Sequence, residues 1–433
     1  MNEHNPAHRP LSGTTVLEFA SILAIPSCGV HLADMGADVI KVEPLTGDPH
    51  RYGIGPIIPD ESKGFTTMNR GKKGIALDLA APESRQIIKR LVEQTDIILM
   101  SLKLSDLTKF GLEYEDVKKW NERIIFLEHA PYGRSGPYGQ EGGYDVVAQG
   151  MSGLASVMAR DINGIPSVLT PAVADMATGL ASALAVITAL RHRDLTGEGQ
   201  KVSTSLLQTS LILAGNRIHW FAATDPDVWN LAAEALSDAQ HDGKTFEQQR
   251  DIYTAITNPG GGPATNTYFR YYRATDQFFS VGALSHNLRT KFCSVLGVTD
   301  PRTSEFNMSN PDDYDQLVSF TRQCEDIIRG KVAQHWIELF RKNGVPSGPF
   351  NFPHQVFDEQ QIADNNFILE LEHKMLGKYK TYGPAIQMEK TPVFPNSSSP
   401  SLGEHTREVL VSLGYVDEEI DHLIEKNIIR QYE

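Results

Sequence analysis

The chain has 433 residues, which is too long for one small hydrophobic core and suggests about two or three domains. Apolar residues make up 40% of the sequence, as in globular rather than disordered proteins. The formal net charge is -14 and acidic residues are spread along the chain, which argues against general nucleic-acid binding. The three cysteines are far apart and form no C-x-x-C pair, so neither a disulfide framework nor a zinc ribbon is expected.

The start of the chain is polar and contains no apolar signal core. No run of about 18 apolar residues occurs in the sequence, so no membrane-spanning segment is expected. The cysteine usage fits a reducing compartment. We therefore predict a cytoplasmic protein.

Strands and helices alternate steadily in the first half of the chain. A buried strand at 14–20, a short helix at 26–36 and a second strand at 37–43 form a βαβ unit, which implies a parallel sheet. The turn after the first strand lacks G-x-G-x-x-G, so a nicotinamide-type nucleotide site is not expected there. Further elements extend the alternation and predict an open α/β sheet: helices at 82–94 and 144–154, and strands at 75–79, 96–100 and 123–129.

A smaller domain is predicted in the second half. The alternating pattern breaks down near residue 225, where charged and polar residues dominate. Two aromatic segments on either side of residues 275–277 predict an antiparallel hairpin, and three helices follow it. The Gly- and Pro-rich segment 344–351 is expected to lead back to the first domain. The expected domains are 1–224 (first part of the large domain), 225–343 (small α+β domain) and 344–433 (return to the large domain).

A long run of small and apolar residues beginning at Asp175 predicts a buried helix from about 175 to 193. Asp175 can serve as the N-cap of this helix, because Asp is among the best caps. It can also be a catalytic carboxylate, because a helix N-terminus holds an acid in place and its dipole favours the ionised form. If a parallel strand ends near Leu169, Asp175 lies at the sheet edge where open α/β sheets bind ligands.

Two other segments carry candidate binding residues. Asn69, Arg70, Lys72 and Lys73 form a compact basic cluster, which is either a solvated turn or a phosphate-binding patch. Residues 258–263, N-P-G-G-G-P, are either a flexible linker or a mobile flap whose glycines let the backbone approach a ligand closely. The spacing alone leaves both alternatives open in each segment.

Six segments along most of the chain form a recognisable series: VLEFASILAIPSCGVHLADMGADVIKVEP, NRGKKGIALDL, GGYDVVAQGMSGL, DMATGLASALAVITALRHRDLTGEGQKVSTSLL, GVPSGPFN and GEHTREVLVSLGY. Together they resemble the family III CoA-transferases, the group that includes formyl-CoA transferase, carnitine CoA-transferase and bile-acid CoA-transferases. The order and spacing of the segments, more than any one of them, indicate this resemblance.

The resemblance implies a Rossmann-like large domain with a parallel sheet, an inserted smaller α+β domain and an interlocked homodimer. It implies acyl-CoA and a carboxylic acid as substrates, without a metal. The catalytic aspartate of the family falls on Asp175, and its glycine loop falls on Gly260, Gly261 and Gly262. In the implied mechanism Asp175 forms a mixed anhydride and then an aspartyl-CoA thioester, while the glycine flap excludes water and offers N–H groups to an oxyanion.

The resemblance also implies a set of CoA contacts. Leu23 stands in the first βα turn, where formyl-transferring relatives carry Gln, so formyl/oxalate specificity is not expected. Ser101 and Lys109 stand where many members carry an Asn and an Arg that contact the CoA nucleotide, and Lys109 keeps the positive charge. The other candidate CoA contacts are Tyr144, Arg70, Lys72 and Lys73.

Three alternative functions stay open at this point. The α-methylacyl-CoA racemases share much of the pattern, but they use a His in a GHD segment where this chain has Tyr144. A phenol is a poor base at neutral pH, and the nearby His129 is more typical of a structural histidine. The missing G-x-G-x-x-G disfavours a nucleotide-linked oxidoreductase, and the presence of Asp175 disfavours a catalytically silent CoA-binding protein.

Overall fold

The computed structural model describes residues 9–53, 55–259, 261–262, 264–302, 305–308 and 310–432. The chain divides into two compact units. The first comprises Met1–Ala159, Ser167–His219 and Asn365–Glu433, and the second comprises Arg160–Pro166 and Trp220–Asp364. These bounds differ from the expected 225 and 343, because the second unit begins with a short hairpin before Asp175 and continues to Asp364.

The strands of the described residues are numbered in chain order: β1 (Thr15–Phe19), β2 (Asp38–Glu43), β3 (Pro56–Ile58), β4 (Glu61–Ser62), β5 (Lys72–Leu77), β6 (Ile97–Met100), β7 (Ile125–His129), β8 (Asp161–Ile162), β9 (Ile165–Pro166), β10 (Lys201–Thr204), β11 (Phe269–Arg273), β12 (Phe278–Gly282), β13 (Ser347–Pro349), β14 (Ile368–His373), β15 (Gly377–Tyr382) and β16 (Ile429–Arg430).

The α-helices are α1 (Ala24–Asp34), α2 (Lys63–Asn69), α3 (Ser84–Glu93), α4 (Leu104–Phe110), α5 (Tyr114–Val117), α6 (Asp145–Met151), α7 (Leu154–Met158), α8 (Val173–Thr196), α9 (Leu206–Ala214), α10 (Pro226–His241), α11 (Phe246–Thr257), α12 (His286–Leu296), α13 (Pro311–Ile328), α14 (Ala333–Lys342), α15 (Gln360–Asp364), α16 (Thr406–Ser412) and α17 (Asp417–Glu425). Short 3-10 turns occupy Pro49–Arg51, Gly215–Ile218 and Pro353–Asp358.

The first unit is built on a sheet with the order β10-β7-β6-β1-β2-β5-β16 within the described residues. All neighbouring strands are parallel except β16, which pairs antiparallel with β5. In sequence order the six parallel strands follow the doubly wound pattern 3-2-1-4-5-6, which reverses direction between β1 and β6. Leu17 of β1 lies opposite Ile40 of β2 and Ile98 of β6. The predicted α/β class with a mainly parallel sheet is confirmed.

Helices cover both faces of this sheet, because successive strand residues point to opposite sides. Leu17 packs into the core formed with α3, α16 and α17, whereas Val16 packs into the core formed with α1 and α8. Both side chains are fully buried. Burial of an aliphatic side chain of this size contributes about 1.5–3 kcal/mol. The two cores therefore fix α1 and α8 on the same face of the sheet.

Helix α8 is, in the described residues, long and apolar enough to cross a membrane by length and composition. Core helices of soluble proteins meet the same criterion, and one face of α8 packs on α1 and the sheet. The criterion is therefore weak evidence for a span. The cytoplasmic location and the lack of a membrane-spanning segment stay predictions.

The second unit contains a small antiparallel sheet of order β11-β12-β13. The predicted hairpin is confirmed as β11 and β12, and the predicted helices correspond to α12, α13 and α14. An aromatic core lies under the sheet, with the rings of Phe292 and Phe340 stacked at 5.3 Å. Two features differ from expectation. Helices α10 and α11 occupy the polar segment after 225, and residues 347–349 form the third strand of this sheet.

Candidate active site

Asp175 lies in the first turn of α8, as the third helical residue. The helix begins at Val173 rather than at 175, and the N-cap position is held by Ala172, which has no capping side chain. The prediction that Asp175 is the N-cap is therefore wrong. Its carboxylate is half-buried and accepts no hydrogen bond from its own helix end. The side chain is thus available for a role other than capping.

Asp145 supplies the missing cap from a neighbouring helix. Its Oδ1 atom accepts hydrogen bonds from the backbone N–H of Ala174 at 2.8 Å and of Asp175 at 3.0 Å. The first N–H groups of a helix have no partner within the helix, so an external carboxylate satisfies them. Asp145 is the first residue of α6 and is separated from the Gly-rich loop 131–143 only by Tyr144. The sequence analysis did not identify it.

Gln149 joins α6 to the segment that leads into α8. Its amide N–H₂ donates to Oδ2 of Asp145 and to the carbonyl of Leu169 at 3.2 Å. Its Oε1 atom accepts from the N–H of Leu169 at 3.1 Å. Gln149 is buried, so these contacts satisfy an amide that water does not reach. Both carboxylate oxygens of Asp145 therefore have fixed partners.

The environment of Asp175 favours its protonated form. Burial, and to a smaller extent the negative charge of Asp145, together raise the pKa of Asp175 to about 7. The helix dipole was expected to keep this carboxylate ionised, whereas burial and a second carboxylate favour the protonated form. The pKa of Asp145 is also raised by burial, although its hydrogen bonds to Ala174 and Asp175 oppose the rise.

The N-terminal end of α8 lies at the carboxyl edge of the large sheet. Ser182 on α8 bonds through its hydroxyl to that of Thr204, the last residue of β10, at 2.9 Å. At the other end of α8, Arg193 forms an ion pair at 2.9 Å with Asp96, which directly precedes β6. The segment before α8 forms no strand of this sheet, so the strand expected near Leu169 is wrong. Asp175 nevertheless lies toward the ligand-binding edge of an open α/β sheet.

The first βα turn lies at the same edge and has an unusual backbone. Ile22 has a φ of +69°, a conformation that β-branched residues rarely adopt. Its N–H donates to both oxygens of Asp48, at 3.1 and 3.2 Å, and Asp48 is paired with Lys41 at 2.9 Å. Leu23 follows at the N-cap position of α1 and is half-buried. Asp48 is a second residue of this edge that the sequence analysis did not identify.

The basic cluster is not an exposed patch. Arg70 is fully buried and forms a two-point ion pair with Asp34, with its Nη2 atom 2.7 Å from Oδ2. Lys72 is buried against Glu18, with Nζ 2.8 Å from Oε2, and burial lowers its pKa to about 8. A shared phosphate-binding surface is therefore wrong for these two residues. Lys73 is half-buried and bonds to acidic neighbours.

The remaining predicted CoA contacts are more accessible. Ser101 directly follows β6 and is half-buried at the carboxyl edge. Lys109 is exposed in the last turn of α4, with its Nζ atom 5.2 Å from the ring of Phe110. Tyr144 is exposed at the N-cap position of α6, directly before Asp145. Tyr144 is next to Asp145 in the sequence, whereas Ser101 follows β6 and Lys109 lies on α4.

The glycine run lies in the second unit, between α11 and β11. A Cβ atom on Gly261 would lie 2.0 Å from the side chain of Asn258, and Gly262 has a φ of +147°. A side chain at position 261 would therefore displace Asn258, and the backbone conformation at position 262 favours glycine. Gly260 lies outside the described residues. Among the described residues, no group of three or more His, Cys, Asp or Glu side chains could hold a metal ion.

Comparison with known proteins assigns the family. The model of CoA-transferase family III matches residues 11–406. The chain belongs to this family. It is therefore an enzyme that transfers CoA between carboxylic acids.

Curated relatives of this family III CoA-transferase align along nearly the whole chain. The mouse succinyl-CoA:glutarate CoA-transferase is 29% identical, over 98% of this chain and 91% of its own length. An acyl-CoA transferase of Fusarium pseudograminearum is 30% identical, over 97% and 88% respectively. A formyl-CoA:oxalate CoA-transferase of Rhodopseudomonas palustris is 28% identical, over 95% of each chain.

Two solved structures share the fold of this chain. A CaiB/BaiF family protein from Brucella suis superposes with a TM-score of 0.72 at 27% identity, covering 94% of this chain and 100% of the other. Rv3272 from Mycobacterium tuberculosis superposes with a TM-score of 0.73 at 24% identity, covering the same shares. The family III CoA-transferase thus has this fold along most of its length.

Proposed function

We propose that this CoA-transferase acts through covalent catalysis by Asp175. The observation that carries the proposal is a half-buried carboxylate whose helix end is capped by another residue, so that it has no structural hydrogen bond to give up. A carboxylate is a weak nucleophile in water, but burial makes it more basic and less hydrated. Asp175 meets both conditions at the carboxyl edge of the sheet.

The proposed reaction conserves CoA and needs no net proton. An Asp175 oxygen attacks the thioester carbon of the donor and the CoA thiolate leaves, which gives a mixed anhydride. The thiolate then attacks the aspartyl carbon, which releases the donor acid and leaves an aspartyl-CoA thioester. The acceptor carboxylate attacks this thioester, and the released thiolate attacks the new acyl carbon and frees Asp175. Only the ionised form of Asp175 starts this sequence.

The family resemblance extends the proposal to the CoA contacts, the glycine run and the substrates. Leu23, Ser101, Lys109 and Tyr144 are proposed to contact the CoA portion, and we propose that Gly261 and Gly262 offer N–H groups to an oxyanion. The names of the relatives suggest small dicarboxylic acids as donor and acceptor. The apolar Leu23 argues against the formyl and oxalate pair.

Trapping of the covalent intermediate tests the proposal. The protein is incubated with succinyl-CoA and treated with hydroxylamine or borohydride, and the modified peptide is identified by mass spectrometry. We expect one adduct, on Asp175, and its loss together with CoA transfer in Asp175→Asn. Asp194→Asn, which changes an exposed carboxylate of the same helix, is expected to keep both. An adduct on another residue, or α-deuterium exchange without CoA transfer, would contradict the proposal, and the second result would indicate a racemase.

A panel of acceptors tests the substrate proposal. Succinate, glutarate and oxalate are compared at equal concentration with succinyl-CoA as the donor. We expect transfer to glutarate to exceed transfer to oxalate, because Leu23 offers no polar group to a second carboxylate close to the reacting one. Faster transfer to oxalate would show that this turn does not select the acyl group.

We further propose that the enzyme is a homodimer. Helices α8 and α9 expose large apolar side chains, among them Leu184 at 67% and Ile212 at 70% exposure. Single exposed apolar residues are ordinary, but contiguous ones typically mark an interface. Leu180 and Leu184 lie one helical turn apart on α8, and α9 packs beside it. We propose that a second copy of the chain packs against this surface and buries it.

A further inference from the structure

Asp145 connects two helices that meet at the proposed nucleophile. It is 7% exposed and uses both carboxylate oxygens. Oδ1 accepts from the N–H groups of Ala174 and Asp175, and Oδ2 accepts from the amide of Gln149. A displacement of Asp145 would therefore displace the backbone of Asp175 itself.

Nothing else caps this end of α8 in the described part of the chain. Ala172, at the N-cap position, offers no side-chain acceptor. Helix N-termini left without an acceptor lose roughly 1 kcal/mol or more of stability. The start of α8, and with it the direction in which Asp175 projects, depends on a residue 30 positions away in the sequence.

We propose that Asp145 is a positioning residue for CoA transfer, which holds the backbone of Asp175 in place and uses its negative charge to control the protonation of Asp175. The proposal rests on the nucleophilic role proposed for Asp175. Asp145 acts through Asp175 and forms no bond to the substrate. A carboxylate that holds its proton more tightly is more basic, and the more basic of two ionised carboxylates is the stronger nucleophile.

The other charged groups around α8 do not account for the raised pKa of Asp175. The elements packed against α8 are α1, α6, α9, β7 and β10. Helix α9 carries no titratable side chain. Besides burial, it is the negative charge of Asp145 that raises the pKa of Asp175. The remaining titratable groups on these elements are Cys28, His31 and Asp34 of α1, Glu128 and His129 of β7, and Lys201 of β10.

Two substitutions separate the helix-capping role of Asp145 from the effect of its negative charge. Asp145→Asn keeps an oxygen that can accept from α8 but removes the charge. Asp145→Ala removes both the acceptor and the charge. Asp276 provides a matched control, because its Oδ1 atom accepts at 2.8 Å from the N–H of Ala333, the first residue of α14. It is therefore also a carboxylate that caps a neighbouring helix, but in the second unit.

The experiment measures kcat and KM for succinyl-CoA between pH 5.5 and 8.5 in the wild type and in these variants. For Asp145→Asn we expect the midpoint of the pH profile of kcat/KM to fall by about one unit, with kcat at pH 8 within about threefold of the wild type. For Asp145→Ala we expect kcat at pH 8 to fall about tenfold or more, with KM changed less than about threefold. Asp276→Asn and Asp276→Ala should keep the wild-type midpoint and kcat.

Two results would overturn the proposal: an unchanged midpoint in Asp145→Asn, or wild-type kcat in folded Asp145→Ala. If Asp145→Ala does not fold, the midpoint of the pH profile of kcat/KM in Asp145→Asn is sufficient to test the proposal. Failure of the proposed function would be distinct, because Asp175→Asn would then retain transfer and no adduct would form on Asp175. An adduct on Asp175 combined with wild-type behaviour of both Asp145 variants would reject the positioning role only.

Discussion

At the scale of single residues, the raised pKa of Asp175 predicts a stability cost at neutral and alkaline pH. The folded state holds this proton up to about pH 7, whereas an unfolded Asp releases it near pH 4. Folding therefore loses stability as the pH rises from about 4 to about 7, and the loss is complete above that window. A shift of this size corresponds to about 4 kcal/mol at most, and water at a half-buried site reduces it to roughly 1–3 kcal/mol.

Asp175→Asn should therefore be more stable than the wild type at pH 8 and similar to it at pH 4, while it loses CoA transfer. Chemical denaturation at both pH values measures the difference. Asp194→Asn serves as the control, and its effect should not change across the window. An Asp175→Asn protein that is no more stable than the wild type at pH 8 would show that burial does not act on this carboxylate as described.

Removal of the Lys109 side chain is expected to weaken acyl-CoA binding without changing the rate of the chemical step. Lys109 is exposed and is proposed to contact the CoA nucleotide, so Lys109→Ala should raise the KM for acyl-CoA several-fold at low salt and leave kcat unchanged. Lys118 is a matched control, because it is also exposed, with its Nζ atom 5.6 Å from the ring of Tyr114. Steady-state kinetics of Lys109→Ala and Lys118→Ala measure the difference. Equal KM values in the two variants would exclude the contact.

The sequence could locate Asp175 but not its surroundings. An acid before a run of small and apolar residues, in a family pattern, was enough to identify it. The capping role of Asp145 depends on how α6 packs against α8, and the residue pattern within either helix does not predict this packing. The same limit applies to Arg70 and Lys72: their basic character is visible in the sequence, whereas their partners Asp34 and Glu18 become neighbours only after folding.

At the scale of elements, the contact of α1 with α8 depends on Gly179. A Cβ atom at this position would lie 2.6 Å from Oγ of Ser27 and 2.9 Å from the carbonyl of Ala24. Because one contact is with backbone, Gly179→Ala should separate the helices and destabilise the protein by roughly 1–3 kcal/mol, despite the better helix propensity of Ala. Asp175 lies one turn away, so kcat should also fall.

Gly150 in α6 gives the matched substitution. A Cβ atom there meets no atom within 4 Å apart from its chain neighbours and the backbone of its own helix, so Gly150→Ala should be neutral or stabilise the protein by up to about 1 kcal/mol. Urea denaturation and kcat of the two variants, measured side by side, test the pair. A Gly179→Ala variant as stable as Gly150→Ala would show that α1 and α8 can move apart without cost.

Helices and strands with a clear periodic pattern of apolar residues were predictable from the sequence. Elements that depend on pairing with a distant segment, or that lack such a pattern, were not. Strands β1, β2 and β6 and helices α1, α3 and α12–α14 were found within a few residues of the predicted bounds, because each carries a clear apolar pattern. Helices α10 and α11 were missed, since α11 has no buried residue and α10 has only two, so neither shows a wide apolar stripe. Strand β16 has two residues and exists only by pairing with β5.

At the scale of the whole molecule, the parallel α/β sheet of the large domain followed from the alternation of strands and helices together with the family resemblance, whereas its strand order was not predicted. The bounds of the units were less predictable, because the second unit takes β8 and β9 from within the first half of the chain and extends past 344. A change in composition near 225 marks neither feature. The position of a segment in the sequence therefore predicts least well which unit it belongs to at the points where the chain passes from one unit to the other.

The proposed homodimer is a prediction for the whole molecule. In light scattering after size exclusion, the protein should have twice the 47.9 kDa mass of the chain. The double variant Leu184→Glu with Ile212→Glu places charge on the exposed apolar surface of α8 and α9, so it should shift the mass toward one chain. Val411→Glu changes an exposed apolar residue on α16 and should leave the mass unchanged. A wild-type protein with the mass of one chain would reject the homodimer, and a double variant that stays dimeric would move the interface away from this surface.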